Sequence, residues 1–170
     1  IGRVGAGLEN IDEDYAAERE IVLFNSPEGN RDSLGEHAVG MLLMLMHHLR
    51  RADNEVRNGI WKREENRGDE LKGKTVGLIG YGNMGNAFAR RLQGFDVDVI
   101  CYDILPEKGN EFAKQVTLQE FLERVDVISL HTPQTPETTK MIDAEFIAKV
   151  KKPFYFVNTA RGKSVVKKDL

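Results

Sequence analysis

Three stretches of this 170-residue chain have residue types and spacings that could do chemistry. Gly80-Tyr81-Gly82-Asn83-Met84-Gly85 is a G-x-G-x-x-G string. Between a strand and a helix, such a string cradles a pyrophosphate. Its first glycine permits the turn, its second lets a phosphate approach the backbone, and its third lets the helix lie close on the strand. The helix N-terminus adds unpaired N–H groups and a partial positive charge. Asp103 follows Gly80 by 23 positions, near the ~20 expected of a carboxylate that accepts hydrogen bonds from ribose hydroxyls. It would repel the extra phosphate of NADP, and Ile104 supplies no compensating cation, so the expected cofactor is NAD. A chain with 16 glycines can produce the string by chance. Strand, helix, second strand and acid in succession favour a ligand over a bare glycine turn.

The second and third stretches are His131-Thr132-Pro133 and Asn158-Thr159-Ala160-Arg161-Gly162, each following an apolar run. Ligands of open α/β sheets bind beyond the carboxyl ends of strands. His131 is expected to be a packed or cofactor-lining residue rather than a general base. Arg161, alone among small residues, is expected to offer a two-pronged donor to a carboxylate rather than only a surface ion pair. The remaining histidines carry less. His37 lies in the first turn of an apolar helix, where an interdomain structural role is expected. His47 and His48 are adjacent, so a helix points them in different directions, and no metal-ligand spacing is present. Cys101, the only cysteine, precedes Tyr102 in an apolar run and reads as core rather than nucleophile.

The elements that must position these residues are read from hydrophobic patterning. Runs at 21–25, 75–80, 97–102, 126–131 and 154–158 predict strands. Helices are predicted from Ser33 (with Glu36 completing a capping box) to Leu49, and at 84–93, 118–124 and 143–150. The Ser33 helix is apolar on nearly every face at its start, which predicts burial all round. Residues 54–71 are polar and read as a long connector, with Trp61 an interface anchor. Alternating strands and helices from Lys74 onward predict βαβ units, and so an α/β fold with a doubly wound parallel sheet.

Composition narrows the function classes. There are 24 basic and 27 acidic residues, a formal net charge of −3, which gives no global pull toward nucleic acid or anionic lipid. From Lys140 to Leu170 basic residues outnumber acidic ones, and this reads as a solvated face near the cleft. The longest apolar run, Ala38–Met46, is well short of the ~20 residues needed to cross a bilayer. One cysteine cannot form an intrachain disulfide. A cytoplasmic protein without a leader peptide, nucleic-acid partner or membrane partner is expected.

Five strings together, GRVGAGLENID, NSPEGNRDSLGEHAVGMLL, ELKGKTVGLIGYGNMG, HTPQTPETT and NTARGKSVV, resemble the NAD-dependent D-isomer specific 2-hydroxyacid dehydrogenase family, in its D-3-phosphoglycerate dehydrogenase-like branch. The resemblance implies that Arg161 binds the substrate carboxylate and polarises its C2 oxygen. It implies that Gly80, Gly82, Asn83, Met84 and Gly85 form the pyrophosphate loop and that Asp103 is the ribose acid. Thr132, Pro133, Thr159 and Ala160 would line the cofactor. Ala6 and Gly7 would turn backbone N–H groups toward the substrate carboxylate, with Arg3 assisting an anionic substrate.

The resemblance further implies hydride transfer between NAD and C2 of a D-2-hydroxy acid, such as a glycerate-type substrate. A homodimer contact through the helix and arm at 34–70 is also implied. Residues 1–33 would be the tail of a flavodoxin-like substrate domain, and 34–170 an incomplete Rossmann-like NAD-binding domain. The missing initial Met and the family's histidine base and acid partner, placed after the NTARG string, suggest a fragment lacking both ends and inactive alone. The competing expectation is an NAD-sensing, corepressor-like binding module of the same fold without turnover. A different chemistry on a dinucleotide fold, as in alanine dehydrogenase or adenosylhomocysteine hydrolase, is disfavoured by NTARG.

Overall fold

The computed structural model describes residues 1–170. Two sheets form. The small one pairs β1 (Gly2–Arg3) with β2 (Phe24–Asn25) in parallel, with α1 (Glu13–Glu18) between them in sequence. The large one contains β3 (Thr75–Ile79), β4 (Asp98–Tyr102), β5 (Lys114–Gln115), β6 (Val127–Leu130) and β7 (Tyr155–Asn158), in the order β5-β4-β3-β6-β7. Every neighbouring pair is parallel. The chain starts at β3, moves outward on one side to β5, then crosses back to β6 on the other. That reversal leaves a crevice at the carboxyl ends of β3 and β6, where ligands of such sheets bind.

The sheet is buried because its strands alternate between two apolar layers. Val76, Leu78, Val99, Cys101 and Val127 point to one face, against α2 (Arg31–Met46) and α4 (Asn83–Arg91). Ile79, Ile100, Ile128 and Leu130 point to the other, against α5 (Leu118–Arg124) and α6 (Ala144–Lys149). Side chains of successive strand residues take opposite faces, so each run must be apolar throughout. Cys101 is fully buried in the first layer, and burial pushes its thiol up to about 11. It is core, as expected.

Several boundaries and environments differ from the sequence expectations. The helix α2 starts at Arg31, so Ser33 sits within its first turn and makes no cap; Asn30 is the N-cap residue, without a side-chain bond. Asp32 and Glu36 instead reach Arg91 of α4, at 3.1 and 3.5 Å, and the Asp32 contact holds one of the two added residues. The expected division at 33/34 therefore falls inside a helix. Nor is α2 buried all round. Gly35, Ala38, Leu42 and Met46 form one buried stripe, while Met44 and Leu45 are exposed.

The expected connector begins with a helix, α3 (Leu49–Arg57), none of whose residues is buried. It starts after His48, whose backbone is left-handed at φ 53°. His37 is exposed on α2. The run at 21–25 yields only the two residues of β2. No helix is long and apolar enough to cross a membrane.

Candidate active site

The turn from β3 into α4 has the geometry that its glycines dictate. Gly80 has φ +85°, and a Cβ there would lie 3.0 Å from the His131 carbonyl carbon. A Cβ on Gly85 would lie 2.5 Å from the Gly80 carbonyl oxygen, so only glycine lets α4 start this close to the strand. The Gly80 N–H donates to Tyr102 O at 2.9 Å. The first bond within α4 runs from Asn86 N–H to Gly82 O. The amides of Asn83, Met84 and Gly85 therefore precede the helical ladder and have no acceptor in the chain. Space beside Gly82 is open, since a Cβ there meets no atom within 4 Å. Free amides at the head of a nine-residue helix, over an open cradle, fit a pyrophosphate.

Asp103 stands just beyond β4 and faces this turn. Its Oδ2 accepts the Tyr81 N–H at 2.8 Å, and its Oδ1 accepts the Leu105 N–H at 2.9 Å. Each oxygen keeps a lone pair for another donor. Asp103 thus has a structural task that the sequence did not disclose: it ties the end of β4 to the glycine turn. The neighbouring Ile104 side chain is exposed, so no cation flanks the carboxylate from that position. The Tyr81 phenol donates to Asn110 Oδ1 at 2.7 Å, and Asn86 Nδ2 donates to the phenol at 3.3 Å. Burial pushes the phenol up to about 12.

On the other side of β3, the carboxyl ends of β6 and β7 are joined through His131. Thr159 Oγ1 donates to Leu130 O at 3.0 Å and lies 2.7 Å from His131 Nδ1. A hydroxyl has one proton, so Thr159 must accept Nδ1–H. That leaves Nε2 without a proton, accepting from Ser129 Oγ at 2.9 Å. The ring also leans on Phe88, at 5.6 Å between centroids. Burial pushes His131 down to about 3. Both nitrogens are engaged and the ring stays neutral, so His131 is a packed wall of the cleft rather than a general base.

The turn after β7 is braced by Asn158. Its Oδ1 accepts Ala160 N–H at 2.9 Å and its Nδ2 donates to Arg161 O at 3.0 Å. Arg161 is held by Nη1 to Ala160 O at 2.9 Å, and by Nη2 to Glu9 Oε1 at 2.5 Å. Glu9 comes from the small lobe. Contact with its own backbone amide, and then the Arg161 guanidinium, hold its carboxyl below the usual range against the opposing effect of burial. Ala6 and Gly7 lie alongside. Their carbonyls accept from Asn25 Nδ2 and Arg3 Nε, and their N–H groups have no acceptor in the chain.

A cleft of about 340 Å³ brings these parts together. Of the residues singled out in the sequence, Ala6, Gly7, Gly82, Asn83, Met84, Thr132, Pro133, Thr159, Ala160 and Arg161 line it. Gly80 and Gly85 lie beneath it, shaping the turn, and Asp103 stands to one side. Glu9 and Ser129 were missed, and so was the bracing role of Asn158. Asn158 had a legible signal, since Asn commonly braces a turn through its own side chain. Glu9 had none, because its partner lies far along the chain.

Residues 39–170 match the family model described as "D-isomer specific 2-hydroxyacid dehydrogenase, NAD binding domain". The chain belongs to this family. It is 39% identical over 165 residues to a D-3-phosphoglycerate dehydrogenase of Mycobacterium leprae, covering 95% of this chain and 31% of that one. It is also 39% identical to a hydroxypyruvate reductase of Thermotoga maritima, covering 97% and 54%. A solved D-lactate dehydrogenase of Aquifex aeolicus, complexed with NAD and lactic acid, superposes with a TM-score of 0.84 at 34% identity, covering 98% of this chain and 52% of that one. The chain thus spans about a third to a half of the length of these relatives. The family model covers the whole large sheet, and NAD is the dinucleotide this domain binds.

Proposed function

We propose that the protein bearing these residues transfers a hydride between NAD and C2 of a D-2-hydroxy acid, with a glycerate-type acid as the substrate class. The observation that carries this reading is the convergence, in one cleft, of free amides at the head of α4 and the guanidinium of Arg161. Bound NAD supplies the hydride acceptor. The amides of Asn83, Met84 and Gly85 hold its pyrophosphate, and Asp103 accepts from the adenosine ribose. Thr132, Pro133, Thr159 and Ala160 wall the cleft toward the nicotinamide end. Arg161 binds the substrate carboxylate and polarises the C2 oxygen, while the Ala6 and Gly7 amides face the same carboxylate.

The hydroxyl proton needs an acceptor, and none of the four histidines here qualifies. His131 is locked neutral, His37 is exposed on α2, and His47 and His48 lie at the α2–α3 junction. In this reading residues 1–33 belong to the substrate-binding domain. Two copies associate through the exposed apolar residues of α2, α3 and the following arm: Met44, Leu45, Leu49, Val56 and Trp61.

The test is NADH formation from D-glycerate-type acids by the protein at its natural length. Arg161→Ala is expected to lower kcat/KM about a hundredfold or more, the cost of removing a charge-stabilising donor, with NADH binding retained. Normal efficiency in that variant would refute the assignment.

A further inference from the structure

The Arg161 guanidinium, which the proposed function assigns to a substrate carboxylate, already holds a carboxylate. Glu9 Oε1 lies 2.5 Å from Nη2, and the two side chains are 28% and 40% exposed respectively. The contact is closely nested: a Cβ on Gly7 would fall 2.1 Å from Glu9 Oε2 and 2.4 Å from Arg161 Nη2. It also bridges the two lobes, joining the loop after β1 to the turn after β7. Both residues, with Arg3, line the same cleft. A monoanion entering here meets an Arg161 already paired with a carboxylate, with Arg3 as the second cation of the cleft.

Resting on that assignment of Arg161, we propose that Glu9 is an affinity-tuning residue that competes with the substrate's carboxylate for Arg161. It sets how tightly a carboxylate is held by occupying a prong of the fork, which it must share or yield when substrate enters. Like charges placed side by side repel, so Glu9 lowers affinity for every carboxylate that reaches Arg161. Its action runs through Arg161, so removing it strengthens anion binding, whereas loss of a merely structural contact would weaken it.

The test uses the protein at its natural length, saturated with NADH, and calorimetric titration with oxamate, a non-reacting carboxylate. Glu9→Gln keeps the side chain's size and removes its charge. It is expected to bind oxamate about two- to five-fold more tightly near pH 8, the range a partly exposed ion pair commands, with NADH affinity unchanged. Arg161→Gln is expected to bind oxamate more weakly than wild type. Equal or weaker binding by Glu9→Gln, with Arg161→Gln still impaired, overturns the role of Glu9 and leaves the assignment of Arg161 standing. Oxamate binding undiminished in Arg161→Gln overturns both.

A second measurement needs no variant. Arg161 and Arg3 are the charged groups facing Glu9. Wild-type affinity for oxamate is expected to rise as pH falls and Glu9 takes up a proton, and a flat profile down to the carboxyl range counts against the proposal.

Discussion

His131 shows how a single side chain can be removed from catalysis by its neighbours. Ser129 and Thr159 take both ring nitrogens, and burial keeps the ring neutral. The consequence can be read in stability. The unfolded chain protonates this histidine near its ordinary value of 6.5, while the folded chain resists protonation down to about 3. Between those limits the unfolded state binds one more proton, so stability falls as pH drops and rises with pH. One proton corresponds to about 1.4 kcal/mol per pH unit. Thermal melts between pH 6.5 and 4 are expected to show a steeper pH dependence for wild type than for His131→Leu. Parallel curves would show that the ring titrates normally in the fold. The sequence pointed to this position because a histidine just beyond an apolar run marks a strand's carboxyl end. It could not show the direction of the hydrogen bonds, which depends on Thr159, a strand away.

At the level of elements, the large sheet was legible because each strand is a short, fully apolar run, and only burial on both faces calls for that pattern. Helix α5 was legible to the residue, since Thr117 caps it by accepting Glu120 N–H. Helix α3 was not: its sequence is polar, and the connector reading took its second half for an irregular arm. The small β5 has only two residues to signal it. The glycine turn was readable as a motif, but its dependence on Asp103 was not, since that bond joins elements 22 positions apart. Asp103→Ala should therefore do two things at once. It removes the proposed ribose acceptor and also leaves the Tyr81 and Leu105 amides without their partner. NADH affinity is expected to fall about tenfold or more, and stability by about 1–3 kcal/mol. Fluorescence titration and thermal melts separate the two effects. Asp103→Asn, which keeps one oxygen acceptor, should fall between. An Asp103→Ala protein that melts like wild type would contradict the tie between β4 and the turn.

At the scale of the whole molecule, apolar surface is left uncovered on α2 and α3. A groove between α2, α3 and β7 is lined by Met41, Met44, Leu45 and Phe156, with Arg50 and Arg51 at its rim. Trp61, on the arm that follows α3, is 79% exposed. Contiguous apolar surface of this kind marks a contact site. In the proposed dimer it is covered by a second copy. Light scattering is expected to give a two-subunit mass for the protein at natural length, and Met44→Asp is expected to halve it. A wild-type monomer would refute the dimer. The sequence showed that α2 carried too many apolar residues for one face, but not which would be left in water. That was decided by α4 and the sheet taking the Gly35–Ala38–Leu42–Met46 stripe.

The strand order has a practical consequence. Asp103 follows β4 and Arg161 follows β7, with β3 and β6 standing between them. The proposed grip on adenosine and the proposed grip on the acid are thus built on opposite flanks of the glycine turn. An engineer could rewrite residues 103–105 to retarget the redox carrier and leave the chemistry-bearing flank untouched.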